Sequence, residues 1–130
     1  MKSPTSGRPR ILLVDDDEDL LFLLSRAVLH VLPEAEIEVR TSPETALSYL
    51  ERHVVDAIVT DNRMPTMDGL TFVRLIRQRD TQTPVLLVTS STHLAKEATA
   101  AGVTRYLPCR QLNDVADSVR ALLAETRRAV

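Results

Sequence analysis

Ile11-Leu12-Leu13-Val14 has no polar position, and short apolar runs recur at 57–59 and 85–88. A strand with one face in water alternates apolar and polar residues. A strand that is apolar throughout is covered on both faces, which is the usual condition of a parallel sheet with helices on either side. A weaker alternating run with Ile37 and Val39 suits an edge strand, and Arg105-Tyr106-Leu107 a brief fifth strand. Helical spacing fills the intervals. Leu20, Leu21, Leu24, Ala27, Val28 and Val31 share one face. Ser42-Pro43-Glu44 supplies a cap, a proline at the first helical position and an early acid, so a second helix starts there, burying Ala46, Leu47 and Leu50. Asp68-Gly69 opens a third helix with Leu70, Val73 and Ile76. A fourth runs from about 92 to 101, where Gly102 ends it, and Leu112, Val115, Ala116, Val119, Leu122 and Leu123 line a fifth. Five strands alternating with five helices give an α/β, doubly wound single domain with right-handed crossovers.

A chain of 130 residues suits one core. Residues 1–9, with Ser, Thr, Gly and Pro, are expected to be a flexible lead-in, and 10–130 the domain. A net charge of −2 leaves no extended basic face for nucleic acid, and no apolar run is long enough to span a bilayer. One cysteine, Cys109, rules out an internal disulfide and fits a reducing cytoplasm.

In such sheets ligands bind at the carboxyl ends of the strands, near the switch in strand order. The first strand ends at Asp15 and Asp16, the third at Asp61, the fourth at Thr89 and Ser90, and the fifth near Cys109. Parallel strands bring these residues to one rim. Two charges about 4 Å apart at an effective dielectric of about 20 repel by about 4 kcal/mol, so the cluster must hold a proton or bind a cation. Oxygen ligands without His or Cys favour Mg²⁺ over zinc or copper. Carboxylates, Mg²⁺ and a hydroxyl suit phosphoryl chemistry, and a carboxylate without neighbouring Lys or Arg can be the nucleophile, forming an aspartyl-phosphate. Asp17, Glu18 and Asp19 have a plainer use in the first turn of a helix, where acids cap free N–H groups and favour the dipole. Asp61, on a different strand, moves the balance towards function. His30, His53 and His93 are scattered without metal spacing and read as surface residues.

The segments "ILLVDDDEDL", "DAIVTDNRMPTMDGL" and "PVLLVTS", in this order and spacing, resemble a receiver domain of two-component response regulators, over residues 10–128. The resemblance implies a flavodoxin-like (βα)5 fold with a parallel sheet in the order 2-1-3-4-5. It implies that Asp61 is the phosphoacceptor, that Asp16 ligates Mg²⁺ directly and Asp15 through water, and that an Asp61 oxygen and the Arg63 backbone carbonyl complete the protein ligands. Thr89 would hydrogen-bond the phosphoryl group and shift inward on activation, and Ser90 would offer its backbone N–H. Met64-Pro65 shapes the loop after the acceptor, and Gly69 lets the chain turn into the third helix. Arg63 would affect how fast water reaches the phosphoryl group. Tyr106 matches an aromatic that changes between outward and inward rotamers. The implied partners are a histidine kinase or histidine phosphotransfer protein and a downstream protein or output domain. A homodimer through the fourth helix, fifth strand and fifth helix is allowed by analogy. Such a domain phosphorylates and dephosphorylates itself and is not an enzyme in the ordinary sense.

The pattern breaks at "RYLPCRQL". Alignment on Gly102 and Tyr106 puts Cys109 where the family carries a lysine and Arg110 where it carries a proline. The lysines of this chain, Lys2 and Lys96, lie in the tail and on the fourth helix, and neither can stand in. A thiol with a pKa near about 8.5 supplies no cation. Arg110 reaching in from the next position, phosphorylation with a weak or rerouted signal, and a degenerate, phosphorylation-independent interaction domain remain open, with a redox role for Cys109 as a fourth. The segment from 89 to 102 is slightly short, which puts the fourth helix in question. An unrelated Mg²⁺-dependent phosphatase is the third functional alternative. It lacks support because there is no cap domain and, with three glycines in the chain, no Gly-rich nucleotide loop. The chain ends with the fifth helix, as a stand-alone receiver or one cut from a longer protein would.

Overall fold

The computed structural model describes residues 8–128. The lead-in expected at 1–9 therefore lies outside the described residues except for Arg8 and Pro9. Strands β1 (Arg10–Val14), β2 (Glu36–Arg40), β3 (Ala57–Asp61), β4 (Val85–Val88) and β5 (Arg105–Leu107) alternate with helices α1 (Glu18–Val31), α2 (Pro43–Leu50), α3 (Gly69–Arg77), α4 (Ala95–Ala101) and α5 (Leu112–Arg128). All strand pairs are parallel, in the order β2-β1-β3-β4-β5. This is the expected doubly wound flavodoxin-like sheet, and the order reverses direction at β1 and β3.

Alternate residues of each strand face opposite layers. Ile11, Leu13, Ala57, Val59, Leu86 and Val88 pack with α1 and α5 in one core cluster. Leu12, Val14, Ile58, Val85 and Leu87 pack with α2, α3 and α4 in the other. Burial on both faces is why the middle of each of these strands is apolar.

The helix starts follow the sequence signals. Asp17, Ser42 and Asp68 are N-caps whose side chains accept from the backbone N–H groups of Leu20, Thr45 and Thr71, and Pro43 is the first residue of α2. Gly102 closes α4 with φ of 98°, a left-handed conformation that favours glycine. Two expectations need correction. In α2 the deepest residues are Pro43, Ala46 and Tyr49, while Leu47 and Leu50 are only partly buried. The ring of Tyr49 has the reach to fill the space that the helical spacing had allotted to leucine.

The second correction concerns α4, which begins at Ala95 rather than near 92 and lacks a side-chain cap. Residues 91–94 are held in a loop instead. The N–H of Ser91 donates to Thr89 Oγ1, the hydroxyl of Tyr106 donates to the Ser91 carbonyl, and the N–H of Leu94 donates to the same hydroxyl. Side chains have taken the bonds that a further helical turn would have used.

Candidate functional site

The strand ends do converge. Asp15 follows the last residue of β1, and its N–H donates to the Arg40 carbonyl of β2. Asp61 is the last residue of β3 and pairs in register with Val88 of β4. Carboxylate oxygens of Asp15, Asp16 and Asp61 lie within 4.8 Å of one another. Asp15 and Asp61 are buried, at 7% and 5% exposure, whereas Asp16 is exposed at the mouth. Thr89, one residue beyond β4, is buried at 3%, and Ser90 is exposed.

Burial and mutual repulsion mark the two inner carboxylates. Asp15 is pushed up to about 6, chiefly by burial, with the charges of Asp61 and Asp16 adding to the rise. The Asp17 N–H donating to Asp15 Oδ1 and the guanidinium of Arg110 act the other way. Burial also raises Asp61, opposed by Arg110 and by the backbone N–H groups of Asn62 and Arg63, while Asp16 adds repulsion. Two buried carboxyls held above their ordinary range beside a third at the surface form a site short of positive charge. The donor set is all oxygen, which suits a hard divalent cation such as Mg²⁺.

The loop after Asp61 is braced from below. The N–H groups of Gly69 and Leu70 donate to the Asn62 carbonyl and to Asn62 Oδ1. A Cβ on Gly69 would come within 2.4 Å of the Asp61 carbonyl and 2.9 Å of Asn62 Cα. Gly69 is thus needed for the close approach of α3 to the end of β3, rather than only for the turn expected of it. Met64 is buried, Pro65 and Arg63 are exposed, and an open hollow lined by Asn62, Arg63, Met64, Pro65 and Asp68 is bordered by Asp16.

On the opposite side, Arg110 Nη2 stands 3.4 Å from Asp15 Oδ2 and 4.0 Å from Asp61 Oδ2. Cys109 faces elsewhere: its thiol donates to Asp114 Oδ2 and its sulfur accepts from the Gln111 N–H. The cation opposite the acids thus comes from the position after Cys109, one of the alternatives the sequence left open. Tyr106 is half-buried with its hydroxyl tied to the β4–α4 loop, so its ring is turned inward. The three histidines are exposed, as expected.

The profile of the response regulator receiver domain matches residues 11–119. The regulatory protein AtoC of Escherichia coli is 34% identical over 100 residues, covering 75% of this chain and 21% of AtoC. Three of the curated relatives are matched over only 16% to 27% of their own length. The signal receiver domain of an HD domain-containing protein from Pseudomonas fluorescens superposes with a TM-score of 0.81 at 27% identity, covering 98% of this chain and 95% of that one. The response regulator TrrA of Thermotoga maritima, solved in complex with Mg²⁺ and BeF, shares the fold with a TM-score of 0.78 at 23% identity, covering 88% of this chain and 98% of that one.

Proposed function

Because the chain belongs to the receiver-domain family of two-component response regulators, we propose that it is a phosphorelay module whose Asp61 accepts a phosphoryl group in a Mg²⁺-dependent reaction. The observation that carries this reading is the convergence of Asp15, Asp16 and Asp61, with Asp61 buried at the end of a central strand. Asp16, Asp15 through water, an Asp61 oxygen and the Arg63 carbonyl would hold the ion. When bound, Mg²⁺ supplies positive charge that offsets the carboxylates and the incoming phosphoryl oxygens.

In this reading the chain's own residues divide the work. Asp61 is held by the β3 register, with the braced Asn62 next to it. Thr89 offers a hydroxyl and Ser90 a backbone N–H to the phosphoryl group. A rearrangement at Thr89 reaches Tyr106 through Ser91, which is bonded to both, and so the face made by α4, β5 and α5. The donor is a histidine kinase or histidine phosphotransfer protein, and the reader is a downstream protein or output domain. Two copies pairing through α4, β5 and α5 are a further form of the same output. The domain turns over its own phosphoryl group.

The test is incubation with Mg²⁺ and acetyl phosphate followed by intact-mass measurement, beside Asp61→Asn. A phosphoryl adduct on the wild type and none on the variant is the expected result. Mg²⁺ binding without any adduct would replace this reading with a phosphorylation-independent docking domain, the alternative that Cys109 motivates.

A further inference from the structure

Among the described residues, Arg110 is the one whose cationic atoms come within ion-pair distance of the acid cluster. One nitrogen, Nη2, faces both buried carboxylates, which are 10% and 6% exposed at their side chains, while the arginine itself is 38% exposed. The guanidinium therefore lies at the partly exposed edge of the two buried acids. Its separations of 3.4 and 4.0 Å exceed the roughly 2.7–2.9 Å of a tight charge-assisted bond, so it is paired by charge rather than locked by geometry. The backbone explains why this residue serves. After β5 the chain runs through Pro108 to Cys109, whose sulfur is engaged by Asp114 and Gln111 at the start of α5. Cys109 is thereby held towards the helix, and the next side chain points to the rim.

We propose that Arg110 is the tethered counter-ion of this site: it neutralises Asp15 and Asp61 before a divalent cation binds, competes with that cation, and then pairs with the phosphoryl oxygens on Asp61. The last part rests on the phosphoacceptor reading above. In that step an Asp61 oxygen forms a bond to phosphorus, the bond from phosphorus to the donor's leaving group breaks, and the leaving group departs with the electron pair. With acetyl phosphate the leaving group is acetate, so the negative charge carried by the donor's phosphoryl group is transferred to Asp61. A planar fork that already faces Asp61 Oδ2 is suited to meet two of the three phosphoryl oxygens. In this role Arg110 touches the reacting atoms and is a catalytic residue.

The two halves predict effects of opposite sign in one variant. Mg²⁺ alone is titrated by calorimetry into the full chain as wild type, Arg110→Gln and Arg110→Lys, and each is then followed by intact mass with Mg²⁺ and acetyl phosphate. Loss of the competing charge in Arg110→Gln should tighten Mg²⁺ binding by about three- to tenfold, while lowering adduct yield or lifetime by about tenfold. Arg110→Lys keeps the charge and should hold Mg²⁺ affinity near wild type with partial recovery of the adduct. Unchanged or weaker Mg²⁺ binding in Arg110→Gln overturns the counter-ion half, and unchanged adduct kinetics overturn the phosphoryl half. If the wild type forms no adduct at all, the phosphoacceptor reading falls and takes the phosphoryl half with it, while the Mg²⁺ titration still decides the other.

Discussion

At the scale of single residues, small differences in position decide chemistry. Five consecutive acids follow β1, yet their environments differ. Asp15 is buried beside Asp61, Asp16 faces the hollow, and Asp17 caps α1. Two steps in sequence separate a buried carboxyl from a capping one. Cys109 and Arg110 repeat the lesson with opposite sign, because the thiol is drawn to α5 and the guanidinium to the acids. Gly69 is the least replaceable of the small residues. In Gly69→Ala the new methyl would meet backbone atoms that cannot swing aside. Denaturant unfolding should show a loss of about 1–3 kcal/mol, the usual cost of overpacking. Phosphoryl uptake should fall as well, because the displaced atoms are the Asp61 carbonyl and Asn62.

At the scale of elements, the helix ends carry much of the local specification. Asp68 opens α3 by accepting from the Thr71 N–H at 2.8 Å. Asp68→Ala should cost about 1 kcal/mol, read as a lower denaturant midpoint with an unchanged slope. The other end of α3 is tied down by Arg77, which donates to the carbonyls of Gly102 and Asp80 and to Thr104 Oγ1. Asp80 in turn accepts from the N–H groups of Gln82 and Thr83 and from the Thr83 hydroxyl. Burial alone would push Asp80 up, but these donors and Arg77 hold it below its ordinary value. A carboxyl depressed in the folded state contributes stability above about pH 4, and the contribution is lost as pH falls through the folded value. The deficit of Asp80→Asn against wild type should therefore be present at pH 7 and close on acidification, as unfolding midpoints at pH 7, 4 and 3 would record.

At the scale of the whole molecule, the site belongs to no single element. β1 and β3 bring three carboxylates to one rim, and the segment after β5 brings the arginine. A cation bound there stabilises the folded state alone. Mg²⁺ at about a hundred times its Kd should therefore add about 2.7 kcal/mol, raising the thermal midpoint. Asp16→Asn should lose most of that gain, and a matched ionic strength of NaCl should not reproduce it.

Legible before any folding were the layered α/β class, the strand order through the family resemblance, the capped helix starts at Asp17, Ser42 and Asp68, and the gathering of Asp15, Asp16 and Asp61. Apart from the strand order, these follow from local periodicity and from the direction of parallel strands, which short stretches of chain encode. Three matters were decided only in the folded state. Tyr49 displaced Leu47 and Leu50 from the deepest places in α2 because side-chain reach, and not helical spacing alone, fills a core. The start of α4 moved to Ala95 because Tyr106, distant along the chain, and the nearby Thr89 capture the backbone of residues 91–94. Arg110 rather than Cys109 came to face the acids, because Asp15 and Asp61 reach that rim only when β1 and β3 pair in the sheet, while Asp114 and Gln111 hold the thiol aside. The bonds of Tyr106 to residues 91 and 94 and of Arg110 to Asp15 join residues far apart in sequence, and no local pattern records them.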